Sequence, residues 1–159
     1  MANLHLIYGF AGAGKTTFAR KLEAEISAIR FTHDEWMVKL YGHNPDEERF
    51  SDYYNRISDL IWNLTMQLLG LDRDVILDFG FWSRKSRDEA RYKAKIANAE
   101  VKFYFVTCSE EVIRKRVAKR NSNLTNDSLW IDENAFELFK QSYEALEEDE
   151  NYILIQTDS

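Results

Sequence analysis

The chain has 159 residues, of which 45% are hydrophobic and 30% are charged. This length and apolar content predict one globular domain over residues 1–159, because the chain is too short for two comfortable cores. The formal net charge of −6 argues against a general nucleic-acid-binding surface. The single cysteine, Cys108, excludes an internal disulfide. A lone cysteine fits a reducing setting, so we expect a cytoplasmic protein, and no segment has the pattern of a signal peptide or a membrane span.

Apolar runs of strand length alternate along the chain with longer segments of helical period. We expect strands at 4–8, 29–31, 75–78, 101–107 and 152–155, and helices at 16–27, 35–40, 45–69, 83–98, 110–120 and 131–147. Near-continuous apolar strands separated by helices predict an α/β fold in which both faces of a five-stranded parallel sheet are covered. The acidic stretch 144–150 is interpreted as a solvated helix end.

The sequence GFAGAGKT, residues 9–16, lies between the first strand and the first helix. It matches the phosphate-binding pattern G-x-x-x-x-G-K-[ST] in the context that the pattern requires, which disfavours a plain strand-to-helix turn. Backbone N–H groups of such a loop ring a phosphate, the lysine reaches the terminal phosphates and the threonine ligates magnesium. The predicted nucleotide contacts are Gly9, Phe10, Ala11, Gly12, Ala13, Gly14, Lys15, Thr16 and Thr17.

Two aspartates follow predicted strands at the edge where ligands of parallel sheets bind. Asp34 comes just after the second strand, where a carboxylate can accept a proton from a substrate hydroxyl or can cap the next helix. Asp78 ends the third strand in a position suited to hold magnesium or a substrate hydroxyl. The alternative for Asp78 is a structural partner such as an arginine or a helix N-terminus.

The segment after the third strand supplies candidate substrate contacts. Trp82, with the neighbouring Phe79 and Phe81, either lines a substrate pocket or belongs to the core. Arg84 and Arg87 share a face of the following helix. They are candidates for binding an anionic substrate, and a solvated helix surface is the alternative.

A second basic pair, Arg116 and Arg120, lies on one face of the helix at 110–120 and precedes a polar loop. Planar guanidinium groups stabilise the charge that develops during phosphoryl transfer. We therefore expect a small lid at about 116–131, although ordinary pairing with glutamates also explains a basic helix face.

The sequence resembles the small P-loop kinases, which have an AAA-type ATP-binding domain and are related to gluconate kinase, chloramphenicol phosphotransferase, polynucleotide 5'-kinase and the zeta toxins. The resemblance runs from LIYGFAGAGKTT through THDEW, VILDFGFWSR and RKRVAKRN to the end of the chain. It implies a three-layer P-loop NTPase fold with strand order 2-3-1-4-5 and transfer of the γ-phosphate of Mg-ATP to a hydroxyl. It also implies that Lys15, Asp34, Arg116 and Arg120 are catalytic, with Asp34 as general base and Arg120 stacked on adenine.

The acceptor is where the sequence departs from the polynucleotide kinases. They have a phosphate-binding arginine three positions after the catalytic aspartate, and this chain has Met37 there. Tyr53, Tyr54 and Trp62 on the helix at 45–69 suggest a small organic acceptor, with core packing as the alternative. We predict a monomeric or weakly dimeric small-molecule kinase. A polynucleotide 5'-hydroxyl kinase and a regulatory ATP-binding or ATPase module remain the alternatives.

Overall fold

The strands of this protein form one parallel sheet. A computed structural model describes residues 1–123 and 129–158, and the predicted lid at 116–131 therefore lies partly outside the described residues. The strands are β1 (Asn3–Tyr8), β2 (Ala28–Thr32), β3 (Asp74–Gly80), β4 (Glu100–Thr107) and β5 (Ile153–Gln156). The helices are α1 (Lys15–Glu25), α2 (His33–Tyr41), α3 (Phe50–Gly70), α4 (Arg84–Ile96), α5 (Glu110–Ser122) and α6 (Glu133–Ser142).

The strand order is β2-β3-β1-β4-β5, and every pairing is parallel. The predicted fold class and strand order are thus confirmed. Within the described residues, no helix combines the length and the apolar character needed to cross a bilayer.

Alternating side chains of the strands build two cores, one on each face of the sheet. On one face, Leu4, Leu6 and Leu77 pack with residues of α2, α3 and α4. On the other face, Ile7 and Ile76 pack with residues of α1. Because β1 and β3 are buried on both faces, they are near-continuous apolar runs, as central parallel strands usually are.

The long helix α3 begins later than the sequence predicts. It starts at Phe50 and not at Pro45. The reason is a turn built by Asp46, whose side chain accepts a hydrogen bond from the Glu48 N–H at 3.0 Å and whose carbonyl accepts one from the Arg49 N–H at 3.1 Å. Aspartate competes with helical hydrogen bonding in this way because its carboxylate reaches nearby backbone N–H groups.

The predicted helix at 131–147 is too long, and the acidic stretch at 144–150 is not a solvated helix end over its whole length. Helix α6 ends at Ser142. The chain then turns toward the segment between β3 and α4, where the Glu144 N–H donates to the Trp82 carbonyl at 2.7 Å. Glu150 is buried, with 1% of its side chain exposed, and accepts hydrogen bonds from Arg87 Nε at 2.8 Å and Nη2 at 3.0 Å. The sequence cannot show this pairing, because the partners are 63 residues apart.

Replacing Glu150 with alanine should destabilise the fold, since it leaves the fully buried Arg87 guanidinium without its counter-charge. We expect a loss of roughly 3–5 kcal/mol in the free energy of unfolding. The measurement is urea unfolding at pH 7. Glu148→Ala is the matched control, because Glu148 is exposed, and it should change the stability by less than about 0.5 kcal/mol.

The same pair predicts a pH dependence. Burial alone would raise the pKa of Glu150, but hydrogen bonds from Arg87 and Arg91 and the charge of Arg87 lower it from 4.5 to about 2. A carboxylate with a lowered folded-state pKa stabilises the fold above its unfolded value and loses that contribution as the pH falls. The stability difference between wild type and Glu150→Ala should therefore shrink between pH 4.5 and pH 2. A constant difference over this range would contradict the assigned pairing.

Candidate functional site

The loop from Gly9 to Thr16 joins β1 to α1 at the carboxyl edge of the sheet. Gly12 and Gly14 have φ angles of 85° and 98°, which side chains strongly disfavour. A Cβ on Gly9 would lie 2.4 Å from the Val106 carbonyl oxygen, so β4 permits only glycine there. The backbone conformation of Gly12 and Gly14 and the close contact at Gly9 thus account for the pattern seen in the sequence.

Trp82, just after β3, contacts this phosphate-binding loop and holds it in place. Its indole Nε1–H donates to the Gly9 carbonyl at 2.8 Å, and the Gly9 N–H donates to the Gly80 carbonyl at 3.3 Å. The Trp82 ring also stacks on Phe10, with centroids 5.4 Å apart and planes 13° apart. The loop is therefore held to the end of β3 by both polar and aromatic contacts.

The ammonium of Lys15 lies inside the loop, 3.4 Å from the Phe10 carbonyl oxygen. Burial lowers the pKa of Lys15, while the negative charges of Asp78 and Asp34 oppose that shift. Both aspartates therefore lie within electrostatic reach of the lysine. A cation inside a glycine-rich loop is suited to bind the terminal phosphates of a nucleotide.

Asp78 is the polar centre of the site and is only 4% exposed. Its Oδ2 accepts hydrogen bonds from the Thr16 hydroxyl at 2.6 Å and from the Thr32 hydroxyl at 3.1 Å. The β2–β3 register places Thr32 directly beside Asp78. The Arg30 guanidinium donates in turn to Thr32. Sequence reasoning did not identify Thr32 or Arg30 as part of this network.

Thr16 and Asp78 fit a magnesium ion by the chemistry of their donors, a hydroxyl oxygen and a carboxylate oxygen. The part of the chain described by the structure contains no group of three or more His, Cys, Asp or Glu side chains placed to hold a metal. Magnesium commonly binds with one or two protein oxygens, substrate phosphates and water, so two donors are sufficient here.

Asp34 lies in the first turn of α2, after the N-cap residue Thr32. Its side chain is exposed and lines the same cavity as Lys15 and Asp78. The alternative in which Asp34 is itself the cap is not the observed arrangement. The preceding residue, His33, is buried, and burial lowers its pKa to about 4, so its imidazole is neutral at pH 7.

The cavity has a volume of about 1640 Å³ and is open to solvent. It brings together most of the predicted side chains of the site. Those that line it are Ala11, Gly12, Lys15, Thr16, Thr17, Asp34, Asp78, Trp82 and Arg120. Gly9, Phe10, Ala13 and Gly14 form the rest of the loop backbone.

Arg84, Arg87 and Arg116, three of the predicted arginines, do not line this cavity, and the first two form ion pairs elsewhere. Arg84 forms ion pairs with Asp88, Glu147 and Asp149 on the surface. Arg87 is fully buried against Glu150. Both therefore have a structural role in place of the substrate contact expected from their spacing.

Arg116 binds the outside of the phosphate-binding loop. Its Nη1 donates to the Gly12 carbonyl at 3.3 Å and to the Thr157 hydroxyl at 3.0 Å. Arg120, one turn further along α5, does line the cavity, and its positive charge contributes to the lowered pKa of Lys15. Of the two arginines predicted as a catalytic pair, Arg120 therefore lines the cavity, whereas Arg116 contacts the outer side of the loop.

Helices α3 and α4 line the far side of the cavity with residues that sequence reasoning missed. They are Asn55, Ser58, Asp59, Glu89 and Lys93. Tyr54 and Trp62 also line it, whereas Tyr53 stacks on Tyr41 with ring centroids 3.6 Å apart. The spacing of Tyr54, Ser58 and Trp62 by four residues was the signal in the sequence, because such residues share a helix face.

The strand order, the glycine-rich loop and the carboxylates at the strand ends define a P-loop protein with a kinase-like fold. The chain belongs to the AAA domain family, whose model matches residues 4–146. No curated protein sequence matches the chain significantly.

Three solved structures illustrate the similarity of the fold. A candidate kinase from Chloroflexus aurantiacus has 16% identity and a TM-score of 0.80, with 99% of this chain and 89% of that chain covered. A chain of the Pnkp1/Rnl/Hen1 RNA repair complex has 24% identity and a TM-score of 0.72, with 89% of this chain and 43% of that chain covered. A gluconokinase from Sinorhizobium meliloti has 14% identity and a TM-score of 0.61, with 96% of this chain and 81% of that chain covered.

Trp82→Phe should weaken nucleotide binding while keeping the ring that stacks on Phe10. The substitution removes the hydrogen bond to the Gly9 carbonyl, which is worth roughly 1 kcal/mol, so the Kd for ATP should rise about fivefold. Isothermal titration calorimetry measures this change. Trp36→Phe is the control, because Trp36 does not line the cavity, and it should leave the Kd unchanged. Equal affinities for wild type and Trp82→Phe would contradict the supporting role of the indole N–H.

Proposed function

We propose that this protein is a kinase that transfers the γ-phosphate of Mg-ATP to a hydroxyl group of a small molecule. Lys15, Asp34 and Asp78 come from three different elements and line one cavity, and this convergence is the main support. The family match and the kinase-like neighbours are consistent with it.

The donor half of the reaction uses the glycine-rich loop. Its backbone N–H groups and the Lys15 ammonium hold the β- and γ-phosphates. Thr16 and Asp78 would hold the magnesium ion, which when bound neutralises negative charge on the phosphates. Arg116 fixes the outer side of the loop through the Gly12 carbonyl, so it acts as a positioning residue.

The acceptor half of the reaction uses Asp34. The acceptor oxygen attacks the γ-phosphorus and forms a new O–P bond, while the bond between the γ-phosphorus and the bridging oxygen breaks and ADP leaves. The acceptor proton passes to the Asp34 carboxylate. Arg120 stabilises the charge that spreads over the equatorial oxygens of the transferred group.

Asp34→Asn should strongly slow transfer and leave ATP binding intact, because asparagine keeps the shape of the side chain but cannot accept the proton. We expect kcat to fall about 10²–10⁴-fold, the usual contribution of a general base. ADP formation with pooled sugars, nucleosides and aminoglycosides measures turnover, and calorimetry measures ATP binding.

Asp52→Asn is the matched control for this experiment, since Asp52 is exposed on α3, pairs with Arg56 and lies outside the cavity. Loss of ATP binding in Asp34→Asn would contradict the role as base. ADP formation that needs no acceptor and survives in Asp34→Asn would favour a regulatory ATPase.

Arg120 and Arg116 should separate in their kinetic effects. Arg120→Ala should lower kcat by about 10²-fold or more with little change in the KM for ATP, because its charge acts on the transferring group. Arg116→Ala should chiefly raise the KM for ATP, because it frees the Gly12 carbonyl and the loop. Steady-state kinetics with varied ATP measures both constants. A kcat effect of similar size in both variants would show that Arg116 also contacts the phosphates.

A further inference from the structure

The cavity is larger than one ligand needs. Small-molecule pockets are commonly about 300–1,000 Å³, and this one is about 1640 Å³. The loop from Gly9 to Thr16 accounts for one side. The other side, here called the acceptor wall, is formed by Tyr54, Ser58, Asp59 and Trp62 of α3 and by Glu89 and Lys93 of α4.

The acceptor wall has an apolar, aromatic part that is held rigidly. The Tyr54 ring stacks on buried His33 with centroids 4.0 Å apart, and His33 Nε2 lies 3.0 Å from Ser58 Oγ. The Trp62 ring meets Phe79 edge to face, with centroids 6.4 Å apart. Burial raises the pKa of Tyr54 to about 12, so its hydroxyl stays neutral. Such a surface favours a ligand that contains a ring.

Helices α3 and α4 run in the same direction. Helix α3 ends just before β3 begins, and α4 starts just after β3 ends, so both run from the carboxyl edge of the sheet to its amino edge. Lys93 Nζ lies 4.5 Å from the centre of the Trp62 ring, so the side chains of the two helices meet at this point.

Two carboxylates lie on the side of this contact that is nearer the carboxyl edge of the sheet. Asp59 precedes Trp62 by three residues and Glu89 precedes Lys93 by four. Each carboxylate therefore lies about one helical turn nearer the carboxyl edge of the sheet. Neither forms an ion pair with any residue in the ranges 1–123 and 129–158. The cation on the wall, Lys93, instead lies over one face of the Trp62 ring.

The charge balance of this side of the cavity is negative. Among the side chains that define the acceptor wall, Asp59 and Glu89 are negative and Lys93 is positive. A phosphorylated or carboxylated acceptor would meet like charge here, whereas an ammonium group would find two carboxylates that form no ion pair within the described part of the chain.

We propose that the acceptor is a ring-containing alcohol that carries an amino group, with its ring against Tyr54 and Trp62 and its ammonium near Asp59 and Glu89. This inference rests on the proposed kinase function. It defines the acceptor class and makes Asp59 and Glu89 residues that determine specificity.

The test compares matched ligands that differ only in charge. One set is glucosamine, glucose and glucuronate, and the other is 4-(aminomethyl)benzyl alcohol, benzyl alcohol and 4-(hydroxymethyl)benzoate. Calorimetry in the presence of magnesium and a non-hydrolysable ATP analogue gives each Kd. In at least one set, the aminated member should bind about tenfold more tightly than the neutral one, and the acid should bind most weakly.

The double variant Asp59→Asn/Glu89→Gln should remove the tenfold preference for the amine. The control is Glu48→Gln/Asp52→Asn, which changes the net charge equally at exposed positions outside the cavity and should keep the preference. The inference is overturned if no aminated ligand binds more tightly than its neutral parent. It is also overturned if the double variant retains the preference.

Failure of the inference and failure of the kinase proposal give different results. ADP formation stimulated by glucuronate or by a 5'-hydroxyl oligonucleotide, and lost in Asp34→Asn, would support a kinase with an anionic acceptor and overturn the acceptor class. Preferential binding of amines without acceptor-dependent ADP formation would support the specificity of the wall and overturn the kinase function.

Discussion

The candidate site depends on one buried carboxylate oxygen, Oδ2 of Asp78. A carboxylate at the end of a central strand is costly to bury unless hydrogen-bond donors surround it. Two donors reach it here, the Thr16 hydroxyl from α1 and the Thr32 hydroxyl from β2. The same oxygen therefore joins the first turn of α1 to two neighbouring strands, and it fixes the distance between the phosphate-binding loop and the start of α2, where Asp34 lies.

Behind this polar junction, aromatic rings give the glycine-rich loop a rigid support. Phe10 packs on Trp82 and Tyr143, and Tyr143 also stacks on Tyr8 with centroids 5.2 Å apart. Tyr143 is held in place because the chain after α6 is bound to α4 through Arg87 and Glu150. The buried ion pair is remote from the proposed reacting groups, yet it positions the surface on which the loop rests.

The two sides of the cavity obey different constraints. The loop side is fixed by backbone geometry, because the glycine conformations and the contacts with carbonyl groups allow few other residue types at these positions. The acceptor wall consists of side chains on α3 and α4, which can change without disturbing the sheet. This division is the physical reason that one fold can host different functions, because the wall can vary while the sheet and the loop stay the same.

The sequence by itself determined the sheet, the phosphate-binding loop and the strand-end aspartates, because strand periodicity and glycine conformation are local properties. It did not determine where α3 begins or where α6 ends, because the Asp46 turn and the Arg87–Glu150 pair compete with helix formation. Nor did it distinguish Arg120, which lines the cavity, from Arg116, Arg84 and Arg87, which do not. Helix spacing tells which side chains share a face, but only tertiary packing decides whether that face meets a cavity, a carbonyl group or a buried carboxylate.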